Sequence, residues 1–243
     1  MNLKKFDSEI AWAGPIASRW RDRLRTNPGL RMCRPAGHTP MRVFAAMARY
    51  VESGQVSFRD AEVFTLDEFG DLPPADPGLC VQQMRRCLMD QIDLPPERFH
   101  FIATGAANLA AECRRYDQAI GRGFDLTLLG VGLNGHLGMN EPGSAPGATT
   151  HRVSLHPSTI AASQRYLTHA HTPTWGVTVG LKHLLASKEV WLLACGPSKA
   201  EIVRRTLLGE ITAEVPASLL RSHPNSFLFV DAAAAAGLAT GIA

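Results

Sequence analysis

Residues 126–144 read LTLLGVGLNGHLGMNEPGS. The first part, LTLLGVG, is a short apolar run of the kind that forms a parallel strand buried on both faces. It then breaks into a glycine-punctuated polar segment carrying Asn134, His136, Asn140 and Glu141. Gly130, Gly132 and Gly135 allow the backbone to turn sharply and approach a ligand closely. Open α/β sheets place their sites where a buried strand empties into such a loop. This stretch therefore predicts both the fold class and the position of the site.

Working outward, helical and strand patterns alternate along the whole chain. An amphipathic helix is expected over 14–26, with Ile16, Trp20 and Leu24 at four-residue spacing. A first strand follows at 29–33 (GLRMC), weakened by its arginine, so that about 30 residues precede it. Thr39 as N-cap and Pro40 at the first helical position predict a helix running to about Ser53. Further strands are expected at 61–66, ending in Asp67-Glu68-Phe69, and at 99–103, 125–131, 175–179, 189–194 and 225–231. Further helices are expected at 79–91, 106–120 and 159–167, after Gly196-Pro197-Ser198-Lys199, and over the alanine-rich tail 232–240, whereas 143–158 reads as loop. With no repeat period and no linker, one α/β domain over 1–243 with a mainly parallel sheet is predicted.

Composition bounds the function. Of 243 residues, 45% are hydrophobic and 19% charged, enough for a sizeable core. A net charge of +3 without a basic block argues against nucleic acid and suits an anionic small molecule. No apolar run approaches the roughly 20 residues of a membrane helix, and the N-terminus lacks a signal-peptide core. The five cysteines form no CxxC pair, which points to reduced thiols and a cytoplasmic setting. No HExxH-type metal spacing occurs among the histidines.

Candidate site residues emerge from chemistry. The turn at Gly37, His38 and Thr39 feeds a helix N-terminus, where free N–H groups and the helix dipole favour an anion. Lys199 follows a second glycine–proline helix start, and Arg165 lies on the expected helix 159–167. Each could be an ordinary surface cation. Both helix starts follow strands, however, which puts them on one sheet edge with Asp67 and His136, as a phosphate site requires. Neither GxxxxGK[ST] nor GxGxxG with a following acid is present, so a small phosphorylated metabolite fits better than a nucleotide. His136 can exchange protons near neutral pH, and Asp67 and Glu141 add two carboxylates. Proton abstraction beside a carbonyl is within reach of this set.

The segments PAGHTPM (35–41), FTLDEF (64–69), GVGLNGHLGMNEPG (130–143), SQRY (163–166), WGVTVGLKHLL (175–185) and CGPSKA (195–200) resemble the successive motifs of the glucosamine-6-phosphate deaminase family. They do so in order and over nearly the whole chain. The resemblance implies a Rossmann-like three-layer α/β fold and conversion of an amino sugar 6-phosphate into a ketose 6-phosphate plus ammonia, with no redox cofactor or metal. It implies Asp67 as the base at C2 and C1, His136 assisting ring opening, and Glu141 holding it. The phosphate would lie on Gly37, His38 and Thr39, closed by Arg165 and Lys199. Oligomeric state is left open, because relatives include monomers and homo-oligomers.

Two departures matter. Asn134 stands where these enzymes usually carry Asp, a form that looks like the galactosamine-6-phosphate isomerase branch, which yields tagatose 6-phosphate. An amide there can hydrogen-bond the imidazole but adds no charge, so a weaker base is expected. His38 replaces a usual glycine. After Glu141 only Arg152 is firmly cationic, which implies no activator phosphate site. A 6-phosphogluconolactonase is a competing reading, but that family resembles this chain only at Gly-His and continues differently. A non-catalytic sugar-phosphate sensor is the other, although too few residues precede the first strand for a DNA-binding module.

Overall fold

The computed structural model describes residues 1–164, 167 and 171–238. The chain runs through β1 (Asn2–Phe6), α1 (Glu9–Thr26), β2 (Arg31–Arg34), α2 (Met41–Glu52), β3 (Glu62–Thr65), β4 (Asp67–Phe69), α3 (Cys80–Cys87), β5 (Phe99–His100) and α4 (Leu109–Ile120). It continues through β6 (Leu126–Gly130), β7 (His151–Ser154), α5 (Pro157–Ser163), β8 (Trp175–Thr178), α6 (Leu181–Leu185), β9 (Glu189–Ala194), α7 (Ala200–Leu208) and β10 (Ser226–Asp231).

Seven strands form a parallel sheet in the order β1-β10-β9-β6-β2-β3-β5. The LTLLG run lies at its centre, between β2 and β9, as its unbroken apolar character requires. From β2 the chain moves outward to β3 and β5, then returns to β6 and fills the other side with β9 and β10. The order thus reverses between β2 and β6, which opens a crevice beyond their carboxyl ends.

Strand side chains alternate between two cores. Met32, Val63, Leu128 and Trp191 face α1 and α2, meeting Trp12, Ile16, Trp20, Phe44 and Met47. Cys33, Phe64, Leu129 and Leu192 face the opposite layer, meeting Tyr116, Ile120, Leu184 and Ile202. The result is the expected three-layer α/β fold. Helix α1 is also tied to the sheet by Glu189, which accepts from Arg19 at 2.8 Å, Arg23 at 2.7 Å and the Trp191 indole at 2.8 Å. Arg31, which weakens β2 by sequence, is satisfied by Glu62 at 2.6 Å and by the Ala119, Ile120 and Gly123 carbonyls at the end of α4.

Several expectations are corrected. The first strand is β1, an edge strand pairing with β10; the lysines of β1 break the apolar pattern a buried strand would show. Helix α1 starts at Glu9, capped by Ser8, with Pro15 inside it. Thr39 does not cap α2: the helix begins at Met41 after Pro40, with no side-chain cap. Residues 67–69 are a separate strand rather than the end of the preceding one, and 151–154 are a strand rather than loop. With β8 they form a small antiparallel sheet, β4-β8-β7. Residues 232–238 are turns instead of helix, because the Asp231 carboxylate takes the N–H groups of Ala234 and Gly196. Residues 239–240 of that expected helix lie outside the described residues. All five cysteines are free thiols, and among the described residues no helix is long and apolar enough to cross a membrane.

Leu128 is fully buried at the sheet centre. Leu128→Ala is expected to cost about 2–5 kcal/mol of stability, read from the urea midpoint.

Candidate active site

The carboxyl ends of β2, β3, β6 and β9 open into one cavity of about 370 Å³. Gly37, His38 and Thr39 line it after β2, Asp67 at the start of β4, Gly132 and His136 after β6, and Lys199 after β9. Gly37, His38, Thr39, Asp67, Gly132, His136 and Lys199, all singled out from sequence, therefore share one cavity. Asn134 and Glu141 stand behind His136, and Arg165 lies outside the described residues.

The loop after β6 is folded around its own histidine. A Cβ at Gly132 would come within 2.3 Å of the His136 ring, so only glycine leaves room for the imidazole. The expected close approach of backbone to ligand is, at this glycine, an approach of backbone to side chain. Gly135, at φ +94°, turns the chain between them. His136 Nδ1 lies 3.2 Å from Thr159 Oγ1 and 3.4 Å from Glu141 Oε2. These acceptors place the proton on Nδ1 and leave Nε2 as the basic nitrogen.

Glu141 is 8% exposed and fully engaged. Oε1 accepts from Thr159 Oγ1 at 2.6 Å and the His156 N–H at 3.2 Å, and Oε2 accepts from Asn134 Nδ2 at 2.8 Å. Burial pushes its pKa up, but the hydrogen bonds from His136, Thr159 and Asn134 outweigh it and hold the acid at about 2. Asn134 does not touch the imidazole, contrary to expectation. Its amide donates to Glu141 and accepts the His136 backbone N–H at 3.2 Å. Its influence on the ring runs through the carboxylate.

Asp67 has the opposite surroundings. It is buried on β4, paired in backbone register with Thr178, and burial raises its carboxyl to about 6 against the pull of the Cys80 thiol and His136. Next to it, Glu68 accepts the N–H groups of Phe69, Cys80 and Val81 at 2.8, 2.7 and 2.9 Å. Burial nevertheless raises Glu68 to about 7. Glu68 thereby holds the N-terminus of α3 against β4 and presents Cys80 to Asp67. Thr159, Glu68 and Cys80 were not anticipated as site residues. Nothing in their spacing marks them, because the bonds that bring them together, Cys80 to Glu68 and Thr159 to Glu141, join residues 12 and 18 positions apart.

On the other wall, Gly37 turns at φ +92° and α2 begins without a side-chain cap, its first N–H, that of Met41, donating to the His38 carbonyl at 3.2 Å. Lys199 Nζ donates to the Val131 carbonyl at 2.7 Å, which brings the ammonium to the mouth of β6. No group of three or more His, Cys, Asp or Glu side chains suited to a metal ion occurs among the described residues.

The family described as glucosamine-6-phosphate isomerases/6-phosphogluconolactonase matches residues 7–229. The chain belongs to this family. It is 34% identical to the glucosamine-6-phosphate deaminase of Bacillus pumilus over 95% of this chain and 97% of that one. It is 37% identical to glucosamine-6-phosphate deaminase 2 of Giardia intestinalis, over 92% and 87%. Among solved structures, a monomeric glucosamine-6-phosphate deaminase superposes with a TM-score of 0.94 at 32% identity, covering 98% of this chain and all of that one. The 6-phosphogluconolactonase of Trypanosoma brucei shares the fold at TM-score 0.76 and 18% identity.

The raised Asp67 carboxyl has a consequence for stability. Such a group contributes stability below its unfolded value near 3.8 that is lost as pH rises through about 6. Asp67→Asn is therefore expected to be more stable than wild type at pH 7.5, by about 3 kcal/mol. Urea denaturation should show that advantage shrinking below pH 6 and vanishing near pH 4.

Proposed function

We propose that the protein converts glucosamine 6-phosphate and water into fructose 6-phosphate and ammonia. The observation that carries this reading is the pairing, in one cavity, of a buried carboxylate with a carboxylate-held imidazole, opposite an uncapped helix N-terminus and a lysine.

The phosphate is placed on Gly37, His38 and Thr39, with Lys199, and with Arg165 by family resemblance. The helix N–H groups and the ammonium suit a dianion. His136 Nε2 takes the proton from the C1 hydroxyl and delivers it to the ring oxygen as the C1–O5 bond breaks, and Glu141, fixed as an anion, steadies the imidazolium between the two transfers. Asp67 then removes the proton from C2 of the open chain and returns it at C1. The enolamine becomes a C2 imine, which water hydrolyses to the ketone with release of ammonia. A base pushed up to about 6 is stronger than a free aspartate and still ionised at neutral pH. A phosphorylated sugar does not cross membranes unaided, which supports a cytoplasmic setting.

Asn134 is the feature that favoured the galactosamine epimer in sequence. It lies behind His136, off the cavity wall, bonded to Glu141. It therefore has no contact through which to read the C4 hydroxyl, and the glucosamine substrate named for the relatives is the better-supported reading.

Ammonia release from glucosamine 6-phosphate, galactosamine 6-phosphate and a blank tests the proposal. Release from the first is expected, and release from neither would overturn it. Asp67→Asn should abolish exchange of the C2 proton with solvent, and wild-type kcat/KM should fall about tenfold per unit below pH 6. Undiminished exchange would remove Asp67 from the base role. Lys199→Ala should raise KM about tenfold to a hundredfold with little change in kcat, since phosphate is held in ground and transition states alike.

A further inference from the structure

Arg34 ends β2, immediately before the turn that carries Gly37. It is 0% exposed. Its guanidinium carbon lies 4.5 Å from the Trp20 ring and 4.8 Å from the Phe44 ring, with Nη2 4.0 Å from Met89 Sδ. Nε and Nη1 have no hydrogen-bond partner. Arg31, on the same strand, is bonded by a carboxylate and three carbonyls. Arg34 has no carboxylate partner among the described residues. Burial lowers its pKa to about 9, which still leaves it charged at neutral pH.

An unpaired buried cation destabilises a fold, and two aromatic faces offset only part of that. Its position makes the matter worse in the free protein. Phe44 lies in the first turn of α2, its N–H bonded to the Pro40 carbonyl at 2.9 Å. Arg34 therefore adds positive charge beside the positive end of the helix, and the turn that feeds that end, residues 37–40, lines the cavity. The two like potentials become favourable when an anion rests on residues 37–39.

We infer that Arg34 is an electrostatic support of the phosphate subsite, a buried cation whose counter-charge is the phosphate of the bound substrate. This rests on the phosphate placement proposed above. Arg34 acts through the low-dielectric core rather than by contact, so its effect is a moderate change in affinity, on the order of tenfold.

The test compares wild type with Arg34→Met, an unbranched, uncharged side chain that fills much of the space among Trp20, Phe44 and Met89, and with Arg34→Lys, which keeps the charge. Binding of inorganic phosphate is measured by calorimetry, KM and kcat with glucosamine 6-phosphate, and free-protein stability by urea denaturation. Arg34→Met should bind phosphate about tenfold more weakly and raise KM similarly, with kcat within about twofold and stability no lower than wild type. Arg34→Lys should retain most of the affinity. Unchanged phosphate affinity in Arg34→Met would overturn the inference, as would loss of affinity and stability together, which would mark a packing residue. If Arg34→Met does not fold, Arg34→Gln carries the same comparison. Wild-type protein that binds neither inorganic phosphate nor the sugar phosphate would instead sink the phosphate placement, and this inference with it.

Discussion

Parallel pairing of β6 with β2 on one side and β9 on the other sends three strand exits to the same edge of the sheet. Everything proposed for this protein depends on that constraint. The turn after β2, the histidine loop after β6 and the lysine after β9 are far apart in sequence, yet meet around one cavity. Parallel strands require crossovers, and the crossovers here supply the two helical layers that bury both faces of the sheet. The crevice exists because the winding direction changes between β2 and β6.

Within that crevice, two acids are driven in opposite directions. Glu141 is buried among donors, and its charge is stabilised by Thr159, Asn134 and the imidazole. Asp67 is buried with fewer donors, so its charged form is disfavoured. Carboxylates separated in this way can take different tasks in one reaction, one fixed as an anion and the other exchanging a proton. The small antiparallel sheet matters for this, because β4 holds Asp67 by backbone pairing to β8 rather than leaving it on a flexible loop.

Buried polar groups accumulate at the same edge. Glu68 is drawn inward to hold the start of α3, Cys80 follows it to Asp67, and Arg34, just before the turn at Gly37, has no ion pair among the described residues. Each is unfavourable for the free fold. Buried charges elsewhere on the sheet, Arg31 and Glu189, are ion-paired, and the contrast fits a site where binding a charged substrate offsets the cost.

By itself the sequence determined the central strand and the alternation that makes a parallel α/β sheet, and it marked Asp67, His136, Gly37 and Lys199, which the fold brings to one cavity, and Glu141, which pairs with His136. Apolar runs and glycine turns are local signals, and these residues stand beside them. Tertiary structure alone decided what their neighbours do. β1 and β7 are short, half-polar strands with no local signature apart from their partners, and Thr39 lost its capping role to the geometry of the turn. Asn134 turned from the imidazole to Glu141, and Thr159, Cys80 and Glu68 entered the site through contacts between distant segments. Spacing along a chain reports periodicity, whereas hydrogen bonds at the end of a sheet depend on which strands lie side by side, and only the folded chain makes that choice.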